Sequence, residues 1–409
     1  MSINWPHSSQ KTLCILAPLV ALFALGLDFY IPLVPELGQL FQTSEEVMQL
    51  TLSGFMFSCA ISQIIAGPLC DKYGRRPVAI SSLMIFLLGS ITGAFAGNFR
   101  ILLIARLLQA FGASGTFLCA YSTVRDCYPN TQDSAKMYSY INVCISQSPI
   151  FAPSIGGYIA QISSWPMVFL SLGIIGLVTL ISTFFLYHET VPHKHPVHLK
   201  HLKYAYKAVL TNTHFLVYSL AAATGMGSFF MFFSQSPYII MTLLQYDKTL
   251  YGIFFGIVGF SFFTSSLTTN KICRRLGPHY TVELGCFLMA SGGLALIVLQ
   301  QLFAITIIGF IIPMVFVVAG AALTIGAGLA GTMQPFGKIA GVAFSAVGCV
   351  KFFLSSLLGM LLMQLPITPQ SLGYVILFLS GTASFCCYFF RNTLLDKGTV
   401  VQITPTEWD

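Results

Sequence analysis

Long apolar runs dominate the chain, and its polar residues gather in short clusters between them. Runs of about 20 residues, the length a helix needs to cross a hydrocarbon core, lie near residues 12–34, 48–69, 78–98, 101–123, 137–160 and 165–187. The pattern then breaks. Residues 188–210 carry Glu189, Lys194, Lys200, Lys203 and Lys207 with His188, His193, His195, His198 and His201. Six more runs follow near 213–236, 251–270, 281–299, 303–329, 339–363 and 371–390. This arithmetic predicts an all-α polytopic membrane protein: an N-terminal six-helix bundle over 1–187, a cytoplasmic linker over 188–210, a C-terminal six-helix bundle over 211–391 and a cytoplasmic tail over 392–409. The first run is too long for a signal peptide and passes into Asp28 and Pro32 without a small-residue cleavage site, so a retained span is expected.

Composition agrees. Of the 409 residues 56% are hydrophobic and 8% charged, whereas a soluble domain is about 25% charged. A soluble enzyme is thereby excluded, and no nucleophile, base and orienting group cluster in the sequence. The formal charge of +7 is no nucleic-acid footprint, because that needs basic residues on one exposed face and these are spread between apolar runs. They fix orientation instead. With a cytoplasmic N-terminus, 16 of the 20 lysines and arginines fall on cytoplasmic segments, as the positive-inside rule expects. Both termini are predicted cytoplasmic, in a bacterial-type inner membrane, and a monomer is expected. The eleven cysteines include no Cys-x-x-Cys pair and read as small packing thiols. The linker histidines are irregularly spaced and lack nearby cysteines, which favours a solvated tether over a metal site. No phosphate-binding Gly-x-x-x-x-Gly-Lys-Ser/Thr loop occurs. No cofactor is expected, and a proton gradient is the natural energy source.

The two halves echo each other. Asp71-Lys72-Tyr73-Gly74-Arg75-Arg76 follows the second run and Asn270-Lys271-Ile272-Cys273-Arg274-Arg275 the eighth, with the same polar-x-x-x-Arg-Arg spacing. Internal repetition is typical of transporters whose site lies at the repeat interface near the midplane.

The stretch from Gly67 to Pro77 resembles the loop signature of the major facilitator superfamily, Gly-x-Leu-x-Asp-Lys/Arg-x-Gly-Arg-Arg. Leu27-Asp28-Phe29-Tyr30-Ile31-Pro32 with Pro35, Ser236-Pro237-Tyr238, and Pro335 followed by Ala340 to Ala346 are similar to the Bcr/CflA-type drug:proton antiporters. The resemblance implies two six-helix bundles related by a pseudo-twofold axis around a central cavity. It makes Gly67, Asp71, Lys72, Gly74, Arg75 and Arg76 a conformational switch, and Asp28 on the first helix a proton-coupling group. Ala152-Pro153-Ser154-Ile155-Gly156-Gly157 resembles an exporter motif, with alanine in its first position, and adds Pro153, Gly156 and Gly157 to the switch. Arg106 and Gln109 match the family's fourth-helix Arg-x-x-Gln-Gly spacing linked to proton transfer, except that Ala110 replaces the glycine.

The residues carry their own argument. A charge at the bilayer centre costs about 2.5–3.5 kcal/mol on insertion scales, so Asp28, Arg106 and Lys351 should face a cavity or partners. Lys351 lies about 19 Å into its helix, where the resembling segment ordinarily carries a neutral amide, and would suit an anionic substrate group. Tyr30, Gln109, Phe230 and Gln235 join Lys351 as expected substrate contacts. Around these, the seventh run offers adaptable apolar surface in Met226, Phe229, Phe230, Met231, Phe232 and Phe233.

The expected activity is proton-coupled export of a small drug-like molecule or self-made metabolite such as a siderophore, by alternating access. The alternatives are proton-coupled uptake of a small organic anion and, in another class, a non-transporting membrane sensor.

Overall fold

The computed structural model describes residues 5–128, 131–191, 199–336 and 340–395. His193, His195 and His198 of the linker, Lys338 and the tail beyond residue 395 lie outside the described residues. The first half comprises α1 (Ser9–Asp28), α2 (Val34–Leu40), α3 (Glu45–Tyr73), α4 (Arg75–Ala94), α5 (Phe99–Cys127), α6 (Thr131–Ser146), α7 (Ser148–Ile162) and α8 (Trp165–Leu186). After α9 (Leu199–Leu210) come α10 (Thr213–Pro237), α11 (Lys248–Leu302), α12 (Ile307–Met333), α13 (Ala340–Leu362), α14 (Pro369–Phe389) and the short α15 (Arg391–Leu395). No strand occurs among the described residues.

Among the described residues, ten helical segments are long and apolar enough to cross a membrane, and two features reconcile that number with twelve runs. α11 has 55 residues, about 80 Å of helix and more than twice the apolar thickness of a bilayer. It is interrupted at Gly277 (φ 84°, ψ 164°), just before Pro278, so it supplies two spans. The fifth run is instead divided into α6 and α7 at Gln147, because Pro149 has no N–H to continue the helical ladder. The first run is divided in the same way. α1 stops at Asp28, and a 3₁₀ turn over Ile31–Leu33 leads into α2, since Pro32 cannot donate to the carbonyl of Asp28.

Side chains mark the helix starts. Ser44, Asn98, Asn212, Asp247, Thr306 and Thr368 each accept a backbone N–H from the first turn that follows, satisfying donors that the helix itself leaves free.

The turn between α3 and α4 uses Gly74 at φ 106°, ψ 163°, nearly the geometry of Gly277 in the second half. The repeat is therefore real in the backbone, but the sequence echo is out of register with it. Arg75 and Arg76 follow their glycine, whereas Arg274 and Arg275 precede theirs and end the first arm of α11. The matching spacings lie on opposite sides of the same turn.

The halves meet along two seams. On one, α3 packs on α13, with Ser356 Oγ donating to Ser53 O at 2.8 Å and Ser345 Oγ to Gln63 O at 2.6 Å. On the other, α7 packs on the first arm of α11, where Thr249 Oγ1 donates to Gln161 Oε1 at 3.0 Å. The described part of the linker is more than a solvated tether: α9 buries Val209 and places Tyr206 OH 3.0 Å from Ser345 Oγ.

Candidate functional site

A cavity of about 210 Å³ lies between the halves. Its floor is made by Asp28, Leu27 and Pro149, and it extends to Asn142, Asn270 and Leu329, at the end of the bundle that carries the Gly74 turn. Phe229 and Phe262 stack at 4.4 Å on its second-half wall, and Phe117 and Tyr121 at 4.6 Å on its first-half wall. Aromatic contacts that cross between the halves in the wall include Tyr121 with Phe344 at 5.2 Å and Phe23 with Phe352 at 5.2 Å.

Asp28 owes its position to the two helix breaks. It is the last residue of α1, and Ser148 is the first of α7, so the broken ends meet and Ser148 Oγ donates to Asp28 Oδ2 at 2.6 Å. The N-terminal end of a helix also favours negative charge. Gly156 makes this approach possible, since a Cβ there would overlap the backbone of Phe29. Gly157, one residue on, lies against Lys248 of the other half, and Pro153 is buried in α7. Tyr251 on α11 stands within electrostatic reach of Asp28, its hydroxyl 3.1 Å from Ser236 Oγ.

Arg106 is fully buried but meets no carboxylate among the described residues. Its Nη1 donates to Gly26 O at 2.6 Å and to Gln109 Oε1 at 3.0 Å, and its guanidinium lies 4.1 Å from the Tyr30 ring centroid and 4.5 Å from that of Phe55. Nε and Nη2 have no partner among the described residues. Gln109 Nε2 donates to Ser90 at 2.9 Å, and Tyr30 OH to Thr51 at 2.8 Å. Tyr30, Arg106 and Gln109 thus form one buried cluster inside the first half, behind the cavity wall.

Lys351 does line the cavity. Its ammonium lies 4.6 Å from the Phe352 ring centroid and has no hydrogen bond or ion pair among the described residues. Of the five expected substrate contacts, it alone stands in the wall. Phe230 is buried against Gly359 of α13, and Gln235 is buried in α10. On α10 the wall is made by Met226, Phe229 and Phe233, whose separations of three and four residues put them on one helix face. The wall also holds Gln63, Asn142 and Ser146, and Ser148 stands beside it on Asp28; sequence reasoning singles out none of these four. The Ser148-Pro149 break inside an apolar run is the available signal for the last of them.

At the Gly74 end, Arg75 joins two carboxylates, Asp71 at 2.7 Å and Asp126 at 3.0 Å. Glu189 from the linker caps α4, accepting from Arg75 N at 2.8 Å and Arg76 N at 3.3 Å. A side chain at Gly74 would collide with that carboxylate. Arg76 Nη2 donates to Phe184 O at 2.6 Å, and Lys72 is exposed beside the Tyr73 ring. Gly67 rests on Ser345 of the other half, and a small cleft beside it is lined by Asp71, Arg125, Tyr206 and Gly341. At the opposite end the halves are joined by the Lys248–Glu36 ion pair, by Ser234 Oγ on Gln49 Oε1 at 3.0 Å, and by Tyr238 OH on Glu45 O at 3.2 Å.

Residues 16–360 match the family model described as Major Facilitator Superfamily. The chain is 26% identical over 365 residues to a chloramphenicol resistance protein of Pseudomonas aeruginosa, covering 89% of this chain and 86% of that one. It is 25% identical over 349 residues to the multidrug resistance protein MdtL of Shigella dysenteriae serotype 1, covering 85% and 87%. Among solved structures, a D-xylose-proton symporter superposes with a TM-score of 0.77 at 15% identity, covering 96% of this chain and 99% of that one. At that identity the likeness concerns the fold alone.

Proposed function

Because the chain belongs to the major facilitator superfamily, we propose that this multi-pass transporter is a proton-driven exporter of a small amphipathic molecule. The observation that carries the reading is Asp28: a buried carboxylate, held by Ser148 where two broken helices meet, on the floor of an aromatic-walled cavity between the halves. A carboxylate there can hold either a proton or a substrate donor, and such competition is what exchange requires.

In this mechanism Asp28 takes a proton from outside as substrate leaves and releases it toward the cytoplasm. Arg106, fixed on the carbonyl of Gly26 and on Gln109, holds the end of α1 that carries Asp28 in place from behind the cavity wall. The proton gradient supplies the energy, without a cofactor. The orientation follows from the basic residues: both termini and the Gly74 turn face the cytoplasm of an inner membrane. The cavity then opens inward, with the outer end closed by Lys248, Glu36, Ser234 and Gln49. Rocking of the halves would part Gly67 from Ser345 at one end and Gly157 from Lys248 at the other. Asp71, Arg75 and Arg76 keep the inner end of the first half rigid during that motion. The resistance functions named for the relatives support export.

Lys351 favours a second reading. An organic anion bound there would stabilise protonated Asp28 and travel with the proton, giving uptake. Everted membrane vesicles with an imposed pH gradient separate the two. Export predicts chloramphenicol accumulation that stops when the gradient is collapsed or in Asp28→Asn. Accumulation indifferent to the gradient would overturn proton coupling, and flux in the direction of the proton would favour uptake.

A further inference from the structure

We propose that the cavity selects net-neutral, dipolar aromatic molecules that set a hydrogen-bond donor or cationic group on Asp28 and an acceptor or anionic group on Lys351. The proposal deepens the export reading and rests on it.

Among the described residues lining the cavity, Asp28 and Lys351 alone carry formal charge, one from each half. They form no ion pair with each other. Lys351 has three donors to place and none is satisfied by the described protein. Gln63 supplies a second unmet group across the α3–α13 seam: its Nε2 donates to Ser114 at 3.0 Å, while its buried Oε1 has no partner among the described residues. That amide lies against Gly348, three residues before Lys351 and on the same helix face. Gln63 Oε1 is buried without a partner, which is costly, so a ligand donor satisfies it while the same ligand's acceptor meets the Lys351 ammonium. The stacked Phe229–Phe262 and Phe117–Tyr121 pairs offer faces for its ring.

Charge arithmetic makes the class specific. With Asp28 ionised the wall charges sum to zero, which suits a molecule that is itself neutral overall but polarised. With Asp28 protonated the walls carry one positive charge and the donor seat is lost, so proton and substrate compete. A permanent cation meets Lys351 in either state. An anion prefers the protonated state and would move with the proton. The other titratable group within reach of Asp28 is Tyr251 on α11, which does not line the cavity; Arg106 lies behind α1, on the carbonyl of Gly26. The anionic cargo expected from Lys351 alone thus gives way to a dipolar one once Asp28 shares the same space.

The test is equilibrium binding to the purified full-length protein, without a gradient, of norfloxacin as a zwitterion, chloramphenicol as a neutral dipole and tetraphenylphosphonium as a cation. The wild-type protein should bind the first two about tenfold more tightly than the cation, the scale of one charge-assisted hydrogen bond. Lys351→Gln should erase that preference by weakening norfloxacin and strengthening tetraphenylphosphonium, with an unchanged thermal midpoint and a monodisperse elution profile in detergent reporting an intact fold. Equal wild-type affinity for cation and zwitterion would overturn the proposal without recourse to any variant, as would an unchanged ratio in Lys351→Gln. Failure of gradient-driven transport would remove the export reading while leaving this binding ratio to stand or fall separately.

Discussion

Ser148 donates a 2.6 Å hydrogen bond to Asp28 across the junction of α1 and α7, so two proline-induced breaks, 120 residues apart in the chain, make one polar point in an apolar interior. A hydrogen bond to a charged group contributes about 1.5–3 kcal/mol. Ser148→Ala should therefore lower gradient-driven transport roughly tenfold, while Ser148→Thr, which keeps the hydroxyl, should retain most of it. Initial rates in everted vesicles check this, and equal rates in the two variants would remove the hydrogen bond from the mechanism.

Arg106 offers a sharper contrast. Its guanidinium bonds to Gly26 O and Gln109 while lying over both Tyr30 and Phe55. A lysine keeps the charge but not the planar fork or the stacking. Arg106→Lys should reduce transport by about tenfold, and should lower thermal stability in detergent. A fully active lysine variant would show that charge alone is needed.

Gly74→Ala should destabilise the protein by about 1–3 kcal/mol, because its backbone region is essentially confined to glycine and a Cβ would collide with Glu189. The measurement is the thermal midpoint in detergent. Comparing that single variant with Gly74→Ala combined with Glu189→Ala, and with Glu189→Ala alone to measure the lost α4 cap, separates the causes: the double change relieves the collision and leaves the backbone strain, so only partial recovery is expected.

The Lys248–Glu36 pair joins the halves at the end opposite the Gly74 turn, the outer end in the proposed orientation, and is partly exposed, where such pairs contribute about 0.2–1 kcal/mol. Lys248→Glu should shift the population toward an open outer end by several-fold. The readout is labelling by an impermeant maleimide in a Ser234→Cys background, since Ser234 is buried beneath that closure. Adding Glu36→Lys should restore the original labelling rate, and labelling that ignores both changes would show that the pair does not hold the outer end shut.

The spans are legible in the sequence because lipid imposes a simple rule on length and polarity, and proline announces where α1 and the fifth run break. The wall of the cavity is less legible. On α10 every residue from Phe229 to Phe233 is apolar and buried, so the hydrophobic pattern has no polar face to show its orientation. The pattern allows Phe230 in the wall, and the structure puts Phe229 and Phe233 there instead. Tyr30 and Gln109, expected to touch substrate, are committed to Arg106 and its neighbours. Glu189 reads as one more linker charge and proves to be the cap of α4, a partnership between residues more than a hundred positions apart.

Sequence alone thus carried the class of fold and the short roster of charges that a bilayer would exclude, since both follow from the cost of polarity in hydrocarbon. Their assignments came only with the tertiary structure. Asp28 and Lys351 share a cavity, whereas Arg106 is enclosed in the first half, because helix rotation and the meeting of broken helix ends decide which side chains face common space. Neither is encoded in local composition; both arise from how distant helices pack.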